Sequence, residues 1–285
     1  MRLASYIANG RASFGAVVGS GVVDFRLRFG SRFPTLVDLI RANVIDEVRE
    51  VIAGVRPDFP LSVIEMLPPL LAPEKILCIG INYANRHVDF NDPEVPKYPS
   101  MFYRHPGSFV GDGQALVRPR VSVQFDYEGE IAMVIGREGR HVSKERAREH
   151  ILGYTLCNEG TVRDWLRHGK FNVTQGKNFD HSGSMGPFIV TADEIDPRKP
   201  MRITVKVNGE VTQDDNTASM IFSFADLISY VTTFMTIKPA DIIVAGTPIK
   251  LGPRSDPPRW LRAGDIVEIF SPELGTLRNP VVDEK

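Results

Sequence analysis

The chain is poor in the features that mark a special environment. Among 285 residues there are only two cysteines, Cys78 and Cys157, each inside an apolar run (Ile76-Leu77-Cys78-Ile79 and Tyr154-Thr155-Leu156-Cys157). That excludes a disulfide framework and cysteine-spaced zinc, and it implies buried thiols in a reducing compartment. No apolar run reaches the length of a membrane-spanning helix, and Met1-Arg2-Leu3-Ala4-Ser5 lacks the apolar core of a signal peptide, so the expected location is cytoplasmic. Charge of one sign is also missing. The 34 basic and 35 acidic residues leave a formal net charge of -1, which gives no field toward nucleic acid or an anionic membrane. The basic cluster Arg137, Arg140, Lys144, Arg146 and Arg148 is interleaved with Glu138, Glu145 and Glu149 and reads as a solvated helix face.

What is present is a chain long enough for one large domain and a small one. Residues 2 to 25 read as short strands, with Asn9-Gly10 as a hairpin turn, because a type I′ turn needs positive φ at both central positions. Thr35, with Asp38 three residues on, resembles a capping box opening a helix, and a second helix is expected over Asp46 to Ile52. Five prolines between Pro57 and Pro73 suggest an extended linker, and a boundary is placed near residue 70: a small N-terminal domain and linker over 1–70, a catalytic domain over 71–285. Further on, Lys75 to Gly80 reads as a buried strand, Tyr83 to about Gly113 as a long loop, and Ser143 as the cap of a short helix. A hairpin about Asn208-Gly209, a helix over 222–234 and strands over Ile242–Ala245 and Asp265–Ser271 complete an α+β, β-rich pattern.

One stretch calls for chemistry. Asp126-Tyr127-Glu128-Gly129-Glu130 sets three carboxylates at every second position ahead of Ile131-Ala132-Met133-Val134-Ile135. Residues two apart in a strand share a face with Cα atoms about 6.5 to 7 Å apart, so long carboxylate arms can converge on one point. Two ionised carboxylates about 5 Å apart repel by roughly 3 kcal/mol at an effective dielectric of about 20, which solvent, a shared proton or a metal must relieve. Spacing alone leaves two readings open, a metal site and a solvated acidic edge strand.

Nine stretches in order then resemble the fumarylacetoacetate hydrolase family. They are Lys75 to Asn82-Tyr83, Asp126 to Glu130, Gly153 to Asn158-Glu159, Arg163-Asp164-Trp165, Gly176-Lys177-Asn178-Phe179-Asp180, Gly186-Pro187, Val207 to Glu210, Gly246-Thr247-Pro248 and Leu277 to Pro280. The resemblance implies a mixed β-sandwich or β-roll catalytic domain, a homodimer, and one divalent ion, Mg²⁺ or Mn²⁺, held by Glu128, Glu130 and Glu159, with Asp126 a neighbour. Oxygen-only ligands suit such hard cations on chemical grounds too. It also implies a small 2-oxo or acylpyruvate-type carboxylate substrate, bound by Arg163, Lys177 and Thr247, with Lys177 also catalytic.

The chain departs from the family's pattern where the base is expected. The motif Asn-Tyr-x-x-His-x-x-Glu is replaced by Asn82, Tyr83, Arg86 and Asp89, and arginine stays protonated. His87 and Asp89 are therefore the expected proton carriers. Glu159 stands in place of Asp, and Leu166 in place of a common Gln. The implied activity is metal-dependent hydrolysis of a C–C bond in a small acylpyruvate or β-diketo acid, in catabolism. Decarboxylase, isomerase or lyase chemistry on a related 2-oxo acid is the first alternative, because it needs chiefly an enolate-stabilising site and a proton relay. A non-catalytic metabolite-binding relative is the second.

Overall fold

The computed structural model describes residues 1–84, 94–170, 172–251 and 259–285. The central run Ile131–Ile135 is apolar at every position, and such a run is stable only when both faces are covered. The strand Gly129–Ile135 accordingly lies inside a sheet, between Ile151–Asn158 and Ile242–Val244, with all its residues buried. This excludes the solvated edge strand.

The large sheet runs from Phe59–Pro60 through Gly21–Asp24, Arg11–Val18 and Arg2–Ala8 to Gly183–Thr191. It continues through Ile151–Asn158, Gly129–Ile135, Ile242–Val244 and Ile76–Gly80 to Ser100–Tyr103. The N-terminal hairpin joins it where Arg2 and Leu3 pair with Val190 and Ile189. Alternation along the strand assigns its neighbours. Ala132 and Val134 face a core shared with Phe25, Leu36, Leu39 and Ile40 of the N-terminal segment. Met133 and Ile135 face Leu227, Ile228 and Val231 of the helix Phe224–Phe234. Ile131 meets a second sheet, of five strands, through Val205 and Ile269. No helix among the described residues is long and apolar enough to cross a membrane.

Several expected elements stand where the sequence placed them, including the turn at Asn9-Gly10, the Thr35–Asp38 capping box and the hairpin about Asn208-Gly209. Others differ. Within the stretch expected as one long loop, Ser100–Tyr103 pairs with Ile76–Gly80 and Phe109–Val110 pairs with Gly183–Thr191, because prolines flank apolar runs too short to show a period. The segment Lys144–His150 is 3₁₀, and Ser143 makes no capping bond. The last strand is Gly275–Asp283, hidden in the sequence by Asn279 and Pro280.

Candidate metal and active site

The acidic pentapeptide is not one continuous strand. Phe125–Asp126 pairs with Thr161–Val162, and Gly129–Ile135 pairs with Ile151–Asn158, leaving Tyr127 and Glu128 between the two ladders. The crossing is pinned by the backbone: Glu128 N–H donates to Asn158 Oδ1 at 3.0 Å, and Glu159 N–H donates to the Glu128 carbonyl at 2.8 Å. Glu128 and Glu159 therefore sit side by side at the strand ends, with Glu130 one step inside. All three are buried, and each offers an oxygen within 4.8 Å of the others.

Cations are threaded between them. Lys177 Nζ donates to Glu128 and to Glu159 Oε2, the latter at 2.8 Å. Arg163 donates through Nη2 to Glu128 Oε1 at 2.6 Å and through Nε to Asp126 Oδ2 at 2.9 Å. Lys250 holds the other Asp126 oxygen, and Arg104 Nη1 donates to Glu159 Oε1 at 3.2 Å. Lys250, Asp126, Arg163, Glu128, Lys177, Glu159 and Arg104 form a file of alternating charge, with Glu130 beside it accepting from Gly246 N–H at 2.6 Å. Thr247 is buried and accepts a bond from Gln213 Nε2 at 2.9 Å. Asp164 takes no part in the file; it accepts from Ser122 Oγ.

Burial, then the charges of Glu159 and Glu128, push the Glu130 carboxyl well above the usual range. Glu159 is raised by burial and by Glu128, against the pull of Lys177 and Arg104. Burial also opposes ionisation of Asp126, but Arg163 and Lys250 outweigh it and hold its carboxyl below the ordinary value. For Lys177 burial disfavours the charge, yet Glu128 and Glu159 raise its pKa above that of a free lysine. These directions separate the carboxylates. Asp126 is matched by cations, whereas at Glu130 burial and the neighbouring carboxylates outweigh Lys177 and the Gly246 N–H, a balance that a divalent ion would shift. Three converging oxygen donors, none of them nitrogen or sulfur, fit Mg²⁺ or Mn²⁺.

Glu128, Glu130, Glu159, Lys177 and Arg163 thus come together, and Thr247 lies beside Glu130 through the adjacent Gly246. Arg86, His87 and Asp89 lie outside the described residues. Sequence reasoning missed Arg104, which is fully buried and also donates to Gly160 O at 3.0 Å and Ser182 Oγ at 2.9 Å. It missed Lys250 as well. A cation at the end of a short run carries no local sign of the carboxylate it will meet. Among the described residues a cavity of about 570 Å³, lined by Leu67, Leu70, Phe109, Val110 and Met185, shares no residue with the cluster.

A β-rich fold holding a buried cluster of three carboxylates with the geometry to hold a metal ion, threaded by lysine and arginine, points to a class, enzymes that handle small carboxylates. The chain belongs to the fumarylacetoacetate hydrolase family: residues 75–282 match the family model described as fumarylacetoacetate (FAA) hydrolase C-terminal. It is 39% identical over 269 residues to the human mitochondrial oxaloacetate tautomerase FAHD2B, covering 93% of this chain and 85% of that protein. Identity to the oxaloacetate tautomerase YisK of Bacillus subtilis is 37% over 227 residues, 78% of this chain and 75% of that one. Among solved structures, a fumarylacetoacetate hydrolase from Exiguobacterium antarcticum is similar with a TM-score of 0.82 at 29% identity, covering both chains fully.

Proposed function

We propose that this enzyme interconverts the keto and enol forms of a 2-oxo dicarboxylate of the oxaloacetate type, with Glu128, Glu130 and Glu159 as ligands of Mg²⁺ or Mn²⁺. The observation that carries the reading is the convergence of those three buried carboxylates beneath Lys177. The ion, when bound, supplies Lewis-acid charge for the 2-oxo and carboxylate oxygens as an enolate develops. The chain's own groups do the rest. Lys177 is held as an ammonium and, released in part from Glu128 and Glu159, balances the substrate carboxylate. Arg163 fixes Glu128 and offers guanidinium charge to the same oxygens. Thr247, oriented by Gln213, presents a hydroxyl at the anionic end. The proton shuttle between oxygen and carbon is assigned to His87 and Asp89.

Tautomerisation is favoured over hydrolysis because Arg86 occupies the position of the water-activating histidine and because the tautomerase relatives match most of the chain. Hydrolysis of an acylpyruvate C–C bond is the second reading, and it keeps the same metal and lysine. The assay is the loss of enol-oxaloacetate absorbance with Mg²⁺ or Mn²⁺ added. Acceleration that disappears in Glu130→Gln is expected; no acceleration, with stoichiometric cleavage of acylpyruvates instead, would select the hydrolase. We further propose a cytoplasmic homodimer, for which light scattering at twice the chain mass is the expected result.

A further inference from the structure

Among the described residues the file of alternating charge is saturated at one end and open at the other. Arg104 is fully buried and donates to Glu159, Gly160, Ser182 and Ser108. Arg163 is committed to Asp126 and Glu128, and Lys177 to Glu128 and Glu159, so each already lies between two carboxylates. Lys250 differs. Its side chain is 35% exposed, and among the described residues it meets one carboxylate, Asp126 Oδ1, while its Nζ lies 4.2 Å from the Tyr127 ring centre. An ammonium carries three donors, so after Asp126 is served there is still capacity for another anion. Lys250 also follows Thr247 by three residues on the same loop, and Asp126 joins it to Arg163. The open end of the file therefore leads outward from the carboxylate cluster.

The geometry points to Lys250 as the residue that binds the far carboxylate of a dicarboxylic substrate, making it the determinant that separates dianionic from monoanionic 2-oxo acids. This rests on the 2-oxo-acid reading above for the orientation of the ligand, with its oxygenated end at the cluster. With that end at the cluster, the far carboxylate of a four-carbon acid needs a cation not already lying between two carboxylates, and Lys250 is such a cation among the described residues. Asp126, buried and accepting from both Arg163 and Lys250, holds the ammonium at the edge of the cluster without neutralising all its donors.

The test compares binding of malate and of its 4-methyl ester, unreactive ligands that share the α-oxygenated end and differ only in the far charge, by calorimetry of the Mg²⁺-loaded full chain. Wild type is expected to prefer malate, Lys250→Met to lose about tenfold of the malate-to-ester affinity ratio, and Lys250→Arg to retain it. An unchanged ratio in Lys250→Met overturns the inference. So does equal weakening of both ligands, which would make Lys250 a prop for Asp126. Should Lys250→Met fail to fold, Lys250→Gln, which keeps a donor for Asp126, carries the same comparison. Failure of wild type to accelerate enol-oxaloacetate decay would sink the tautomerase reading, while the binding ratio still decides the role of Lys250.

Discussion

Glu130 is the side chain whose protonation state registers the site. Its carboxyl is pushed up in the folded chain, so folded protein keeps a proton that the unfolded chain releases above about pH 4.3. Its contribution to stability is therefore lost as pH rises from that value toward the folded pKa. Metal-free wild type should show a Tm that declines with rising pH over that window, and Glu130→Gln a shallower decline; equal slopes would count against the repulsion. Asp126 works in the opposite sense. Its pKa is lowered, so the stability it adds is present above the unfolded value of about 3.9 and is lost as pH falls through the folded one. Replacing Arg104 by Met strands Glu159 with Lys177 alone. Breaking a buried pair in this way costs about 3 to 5 kcal/mol, measurable by urea denaturation. A loss below about 1 kcal/mol would show that water reaches Glu159, because surface pairs contribute no more than that. At this scale the carboxylates were legible in the sequence: alternate spacing marks Glu128 and Glu130, and the family motifs mark those two and add Glu159. Arg104 and Lys250 were not, since their partners come from segments 55 and 124 residues away.

The elements explain how those side chains are held. A continuous strand was the simplest reading of residues 126–135, and the apolar half from Ile131 was read correctly. The acidic half instead turns between two ladders, a change set by pairing with Thr161–Val162 that no local pattern encodes. Gly176 shows how tightly the lysine-bearing turn Thr174–Lys177 packs. A Cβ there would lie 2.7 Å from Leu166 Cδ2 and 2.8 Å from Val162 O, so the turn would have to move. Gly176→Ala should weaken substrate-analogue binding by about tenfold, as a displaced Lys177 loses its charge-assisted contact, while circular dichroism remains native; unchanged affinity would mean that the turn adjusts without moving Lys177. The helix Phe224–Phe234 is opened by the Ser223–Asp226 capping box, at the same spacing as the Thr35–Asp38 box. Ser223→Ala is expected to cost about 1 kcal/mol in urea denaturation. Beside it, Asn82 bonds Ala245 O and Phe222 O and ties the Asn-Tyr motif to the sheet.

For the whole molecule, the β-rich class and the order of the motifs were readable, because each buried strand carries its own apolar run. The layer arrangement was not, because the five-stranded sheet is assembled from Leu116–Arg118 and the hairpins beyond residue 200. An ion bound by the folded chain alone stabilises all of it. At about 100 times its Kd, Mg²⁺ or Mn²⁺ should add about 2.7 kcal/mol to unfolding, reversed by chelation, and Glu128→Gln should abolish most of the gain. A chelator-insensitive Tm would mean that the folded chain binds no such ion, and a gain that survives in Glu128→Gln would place the ion elsewhere. The file of four cations, Arg104, Arg163, Lys177 and Lys250, against four carboxylates, Asp126, Glu128, Glu130 and Glu159, has one more consequence. Fully ionised, it is neutral, so a divalent ion leaves a surplus that a dianion cancels and a neutral molecule does not. Ion and substrate are then mutual counterweights: whatever factor the ion adds to the affinity for the acid, the acid must return to the ion.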